Sequence, residues 1–458
     1  MSHDLNLRLS EILPATAIAV DERTRRAKSS DYHWFSPVLA AELDGACADI
    51  CAFPATEADL IATLAAAHEA GVPVTVRGGG TGNFGQCVPL LGGLVISTER
   101  LNAVLEIADG RARVEPGATF ASIDRAAAGS GQELPIFPTT YRTATIGGFI
   151  AGGSAGVGSV THGGVPDGNV HALDLCGLSA HPSPERVHGA ALWPHLHDYG
   201  TAGVISAAEV ALVPRRTWGQ AIVSFDSLVP CHAFCLELLL DESIGKRMIS
   251  ALDAGVVAHY RRANPGFTEG RAAALLIYDE DARSAVEALE LRHGGRPDRV
   301  FPPGSKVQLF EFAFNHSTLW AKKSDPSLTY MQASLVTERS EEQLRSVAIE
   351  YPEIAFHLEY LRWAGAPLVE MLPIFPYRGR DQLEAMIADF EGLGLAVGNP
   401  HTYVLEEGSS VEDIDGLLAA KKRYDPAGLL NPGKLAAATD GRRRVFRTAA
   451  SMSLGHTT

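Results

Sequence analysis

No apolar run in this chain is long enough to span a bilayer. The opening MSHDLNLRLSEILP lacks the basic-then-apolar pattern of a secretion signal, so the expected location is the cytoplasm. A basic excess is missing too: the net charge is −15, which argues against a general nucleic-acid binder. Paired CxxC zinc spacing is absent. The six cysteines, with Cys47/Cys51 and Cys231/Cys235 at i, i+4 and Cys87 and Cys176 alone, are expected to be buried free thiols. What remains is an ordinary globular composition, 46% hydrophobic and 20% charged over 458 residues, enough for two or three cores.

Glycine is plentiful and uneven. Of 45 glycines, many fall between Gly71 and Gly168. The stretch VPVTVRGGGTGNFGQ (Val72–Gln86) drops from a strand pattern into five glycines between Gly78 and Gly85. Before it, Thr56 reads as the N-cap of a helix with acids in its first turn, ending near Gly71. Further strands are expected at Gly93–Ser97, Val104–Ile107, Arg111–Val114 and Gly203–Val213, and a short helix at Phe120–Ala128. After Pro214 glycine thins out. Strands are expected at Gly219–Phe225, Ala272–Tyr278, Val307–Phe314 and Ala355–Leu361, separated by helices such as Asp281–Arg292 and Ser340–Ile349. This places a second domain at 216–395 between a first domain, 1–215, and a C-terminal segment, 396–458. The tail after Leu435, with GRRRVFRTAASMSLGHTT, reads as a weakly ordered, solvated end.

A glycine loop after a strand can aim backbone N–H groups at an anion, because glycine adopts positive φ and lets a ligand approach the main chain. A P-loop is excluded, since no lysine follows the glycines, and a Rossmann GxGxxG fits poorly. A ligand-free glycine turn is the competing reading of this stretch alone. A second stretch, PTTYRTATIGGFIAGGSAGVGSVTHG (Pro138–Gly163), is too poor in large side chains for a core yet apolar enough to be buried against something flat. YGTAGVISAAEVALVP (Tyr199–Pro214), GNPHTYV (Gly398–Val404) and NPGKL (Asn431–Leu435) follow in order.

Together these five motifs resemble the FAD-linked oxidoreductases of the vanillyl-alcohol oxidase / p-cresol methylhydroxylase (PCMH) type, over roughly residues 35–215 and the C-terminal piece. The resemblance implies an α+β, two-subdomain PCMH-type FAD-binding fold with an inserted α+β substrate (cap) domain on an antiparallel sheet. It implies FAD contacts from Arg77, Gly78, Gly79, Gly80, Thr81 and Gly82. It further implies contacts from Pro138, Thr139, Thr145, Ile146, Gly147, Gly148, Gly152 and Ser154. Gly200, Gly203, Val204 and Ile205 correspond to the adenine-side segment, and Asn431 and Lys434 to the closing motif near the flavin. Arg77 either adds charge to the ligand site or closes an ion pair at the strand end.

Departures from the family sharpen the expectation. Many relatives attach flavin through a histidine where this chain has Thr81, and the Pro138–Gly163 stretch holds no cysteine, so FAD is expected to be noncovalent. The histidine-rich metal motif of relatives that oxidise D-2-hydroxy acids is absent. His195-Leu196-His197 reads as surface loop more readily than as a chelate, so no metal is expected. Hydride transfer to flavin needs a base for the hydroxyl or amine proton, and histidine or a tuned tyrosine suits it. His401 and Tyr403, on one face if their segment is a strand, are the first candidates. EFAFNHSTLWAKKSDPSLTYMQ (Glu311–Gln332) contributes His316 and Tyr330, and its polar density suits a substrate cavity or a solvated strand face. Arg362 and Arg378 either hold an acidic substrate or serve the surface. The expected activity is oxidation of a small alcohol or 2-hydroxy acid, with oxygen or a redox partner as acceptor. The alternatives are a flavin-holding electron-transfer or structural subunit, and the shorter cell-wall precursor reductase of the same FAD fold.

Overall fold

A computed structural model describes residues 2–408 and 413–438. The arginine-rich tail singled out in the sequence lies outside these residues apart from its first few positions.

Three sheets carry the architecture. The first holds Ile18–Ala19, Ile50–Ala52, Leu94–Ser97 and Val74–Arg77 in that order. Its last three strands are parallel, with Thr75 opposite Val95 and Cys51 opposite Val95 from the other side. Parallel strands need crossover connections, and the helix Glu57–Glu69 crosses from Ile50–Ala52 to Val74–Arg77, the two strands that flank Leu94–Ser97. That helix starts where the sequence demands: Thr56 accepts from the Asp59 amide and Asp59 returns a bond to the Thr56 N–H, a complete capping box. Gly71, at φ +61°, follows its end. The second sheet is antiparallel, in the order Val104–Ala108, Arg111–Val114, Val204–Ala211, Val170–Cys176, Pro184–His188.

The third sheet is the largest, eight antiparallel strands from Trp218–Phe225 through Ala396–Gly398. One face packs helices over a core that includes Phe225, Phe234, Leu276, Met331, Tyr360 and Met371. Its other face turns toward the glycine-rich segments. Two bonds fasten this sheet to them: the Gly158 N–H donates to the Arg247 carbonyl at 2.7 Å, and the Thr161 hydroxyl to the Lys246 carbonyl at 2.6 Å. The edge strand Ala396–Gly398 pairs with Gln332–Ser334, so the sheet runs past residue 395. Beyond it the chain returns to the first sheet, where the Asn431 N–H donates to the Val74 carbonyl at 2.7 Å. Five cysteines are buried, Cys47 is half-buried, and none forms a disulfide.

Two expected strands are something else. Val307–Phe314 contains a 3-10 turn at Leu309–Phe312 and leads into the helix His316–Ser324. The cause is Gln220, whose side-chain amide donates to the Val307 carbonyl and accepts from the Leu309 N–H, doing the work of a neighbouring strand and leaving the chain free to turn. The segment after Gly398 is likewise irregular: Asn399 accepts the His401 N–H and folds the chain into a turn, so strand alternation does not govern His401 and Tyr403.

Candidate active site

Between the glycine-rich segments and the open face of the large sheet lies a cavity of about 780 Å³. One wall is backbone. Gly78–Gly82, Pro138, Thr139, Thr145, Gly147, Gly148, Gly152 and Ser154 line it, as do Gly200, Gly203, Val204 and Ile205. Among the described residues, no N–H from Gly79 to Asn83 donates to a protein acceptor. Five consecutive backbone donors without protein acceptors, in residues that line a cavity, fit an anionic, polyoxygenated ligand.

The glycines serve closeness as much as conformation. Gly80 has φ +63°. A Cβ on Gly78 would stand 2.1 Å from Thr145 Oγ1, and one on Gly79 would stand 2.2 Å from the Thr143 carbonyl. The two glycine segments therefore touch each other, and the wall exists because the first carries no side chain at the contact. Gln86, which the sequence did not single out, ties them: its side chain donates to the Gly152 carbonyl at 2.7 Å. Thr145 caps the short helix Ile146–Gly152 by accepting from the Gly148 N–H at 3.3 Å.

Four expected cofactor residues stand behind this wall. Arg77 folds back, donating to the Gly78 and Ser30 carbonyls. Ile146 is buried in the core. Asn431 donates to the Gln86 and Tyr199 carbonyls at 2.8 and 2.7 Å, bracing both loops at once. Lys434 donates to the Gly85 carbonyl, and burial pushes its pKa down to about 7. They support the wall without lining the cavity.

The turn before Val204 holds positive φ at His197 and Tyr199. Asp198 enforces it, accepting from the Gly200 and Ala202 N–H groups at 2.9 and 3.1 Å, and burial raises its pKa to about 7. His195 and His197 line the cavity. They form no metal cluster among the described residues. His197 Nδ1 lies 3.2 Å from both the Gly153 carbonyl and Ser154 Oγ, whereas its Nε2 is buried and unpartnered. A bare ring nitrogen beside the glycine wall suits a ligand hydroxyl or amine.

The opposite wall is side chain. On the large sheet Gln332, Ser334, Leu361, Trp363, Leu368, Glu370 and Leu372 face the cavity, while Ala333, Val369 and Met371 face the other core. Register explains the grouping: Ser334 pairs with Glu370 and Glu370 with Glu359, so all three project to one face. Glu370 accepts from the Ser334 hydroxyl, and desolvation raises its pKa. Glu359 accepts three bonds, from Ser250 Oγ, the Phe314 N–H and His357 Nε2. His316, at the start of its helix, also lines the cavity; its Nδ1 and the neighbouring Asn315 Oδ1 are buried without partners. Burial lowers the His316 pKa, opposed by a bond to the Glu311 backbone.

The structure separates the four sequence-level catalytic candidates. His316 stands at the cavity. His401 does not: it is buried, with Nδ1 2.8 Å from Ser36 Oγ and Nε2 2.9 Å from the Tyr330 carbonyl, and burial lowers its pKa to about 4. Both nitrogens are spent on structure. Tyr330 is fully buried with its hydroxyl on Asn83 Nδ2, one layer behind the wall. Tyr403 packs beside Leu43 and Val88 under the Lys434 ammonium. Arg362 and Arg378 pair outward with Glu242 and Glu353.

Residues 48–176 match the FAD binding domain family. An uncharacterized FAD-linked oxidoreductase of Mycobacterium tuberculosis is 39% identical over 112 residues, and the matched region is 24% of each chain. Glycolate oxidase subunit GlcD of Bacillus subtilis is 26% identical across 85% of this chain and 88% of its own. D-lactate dehydrogenase of Archaeoglobus fulgidus is 31% identical over 35% of this chain and 38% of its own. The solved alkyldihydroxyacetonephosphate synthase superposes with a TM-score of 0.74 at 13% identity, over 93% of this chain and 85% of its own, a likeness of fold. With its glycine-built cavity wall and its matched FAD binding domain, the chain is similar to FAD-linked oxidoreductases and has an α+β, PCMH-type FAD-binding fold.

Proposed function

We propose that this protein oxidises a CH–OH donor with noncovalently held FAD, and that His316 accepts the hydroxyl proton. FAD, when bound, supplies the two-electron acceptor. The observation that carries the reading is the His316 Nδ1: it is buried, unpartnered and at the cavity wall. Burial lowers the His316 pKa, which favours the neutral ring, and the unpartnered Nδ1 is the nitrogen left to accept. Gln332 and Ser334 offer hydrogen bonds that orient the donor, and Leu361, Leu368 and Trp363 exclude water around it. Binding of the cofactor falls to Gly78–Gly82, Thr139, Thr145, Gly147, Gly148 and the Gly200–Ile205 turn, with Asn431 and Lys434 as braces. Thr81 at the cavity supports noncovalent attachment, since a threonine offers no imidazole for a flavin link.

The test is an absorption spectrum of the purified protein before and after acid precipitation, followed by anaerobic titration with candidate alcohols. Flavin bands that move to the supernatant and bleach with an alcohol are the expected result. Bands that stay with the pellet would overturn noncovalent attachment. A flavoprotein that no donor bleaches would instead favour an electron-transfer subunit.

A further inference from the structure

The carboxylates and histidines along the cavity are Asp31, Asp198, Glu359, Glu370, His195, His197 and His316. No lysine or arginine lines it among the described residues. Of the cations nearby, Lys323 sits over the Trp320 ring at 4.6 Å and four more are held by protein oxygens. Arg77 and Lys434 bond loop carbonyls, Lys322 donates to the Leu328 carbonyl, and Arg362 pairs with Glu242.

We infer that the oxidised substrate is an uncharged molecule bearing at least two hydrogen-bonding groups, such as a diol or hydroxyamide, and not a 2-hydroxy carboxylate. This rests on the flavoenzyme reading given above and names the substrate class of that same site. Burying a carboxylate requires a paired cation or several donors, and an unpaired one is expelled. The sheet wall offers the reverse. Glu359 and Glu370 stand directly opposite each other on adjacent strands and face the cavity together. Glu359 is held by three donors, and a substrate carboxylate there would meet an acidic side chain with no free cation beside it among the described residues. Glu370 has one partner, Ser334, and borders the cavity with its remaining hydrogen-bonding capacity. Ser334 and Gln332 flank it, and on the adjoining helix Asn315 Oδ1 and His316 Nδ1 are bare acceptors. Acceptors and neutral donors around an apolar floor of Leu361, Leu368 and Leu372 recognise hydroxyl and amide groups.

The experiment uses the flavin-loaded full chain under anaerobic conditions. Matched ligands are titrated: lactate against lactamide and propane-1,2-diol, and mandelate against mandelamide and 1-phenylethane-1,2-diol. Binding is read from the perturbation or bleaching of the flavin spectrum and from the shift in melting temperature. The neutral members are expected to bind at least about tenfold tighter than the carboxylates, a 1.4 kcal/mol difference. Glu370→Leu is expected to weaken the neutral ligands about tenfold at unchanged flavin content, and Ser334→Ala, a gentler change, by about threefold. Carboxylates binding as tightly as their neutral partners, or a saturable flavin site that neither class perturbs, would overturn the assignment. So would neutral affinities that neither variant changes. A chain that cannot be loaded with FAD would instead sink the flavoenzyme reading beneath it.

Discussion

The glycine-rich wall meets the cavity with backbone, whereas the large sheet meets it with side chains. The two walls fail in different ways. On the first wall glycines stand directly against a neighbouring backbone or a short, fixed side chain, so an added atom must displace one of them, and the loss is cofactor. On the second, strand alternation sets a row of side chains over a core that does not depend on them, so substitutions there change chemistry and leave the fold.

The largest effect is expected on the sheet side of the cavity. His316→Ala should slow donor-dependent flavin reduction about 10²- to 10⁴-fold with flavin content unchanged, as measured by anaerobic stopped-flow. Equal rates would remove the histidine from the chemistry and erase the contrast between the walls.

Gly79→Ala probes the other wall. Its Cβ would fall 2.2 Å from the Thr143 carbonyl. Overpacking of about 1–3 kcal/mol is expected, read as a flavin-to-protein ratio at least about tenfold lower after dialysis. Full flavin retention would mean that the loops have slack.

Asp198 shapes the turn between the two glycine segments and the strand Val204–Ala211. Its pKa rises from 3.8 to about 7 on folding. The folded state then binds the extra proton, so this contribution is present below pH 3.8 and is lost as pH climbs toward 7. Asp198→Asn keeps one of the two acceptors for the Gly200 and Ala202 amides. A loss of about 1–3 kcal/mol is expected at pH 5, narrowing toward pH 8 in thermal or urea melts. A pH-independent difference would deny the buried proton.

The smallest effect serves as the control. Gly398 lies on the sheet wall, and a Cβ there would meet nothing closer than 3.8 Å. Gly398→Ala should change stability by less than about 0.5 kcal/mol. Set beside Gly79→Ala, it separates glycines needed for close approach from glycines that merely occupy a strand end.

The comparison also explains which residues the sequence could reveal. Gly78–Gly82, Thr145 and Gly200–Ile205 were legible because backbone contact leaves a compositional trace: runs of glycine and small polar residues at fixed places along the chain. His316 stood out as one of many polar residues crowded into Glu311–Gln332, a density that suited a substrate cavity. Gln86 and the Ser334–Glu370 pair left no such trace, and His195-Leu196-His197, expected to be surface loop, has both histidines buried at the cavity. Gln86 and Gly152, or Ser334 and Glu370, lie far apart in sequence, and only sheet register or loop docking joins them. His401 was misread for the converse reason. A histidine and a tyrosine two apart suggest one strand face, but Asn399 bends the chain and Ser36 and Tyr330 absorb both ring nitrogens.

The sequence by itself determined the helix Glu57–Glu69, through its capping box, the strand that delivers the first glycine loop, and the pattern of small residues from which an FAD wall can be built. These are local properties, set by side-chain size, capping hydrogen bonds and periodicity within a few residues. Tertiary structure alone decided that Arg77, Asn431 and Lys434 brace the wall without lining it. It also decided that His316, and not His401, borders the cavity, and that acids without cations face it across the sheet. Each of these depends on which distant carbonyl, amide or carboxylate a side chain meets, and burial sets the charge it can keep there.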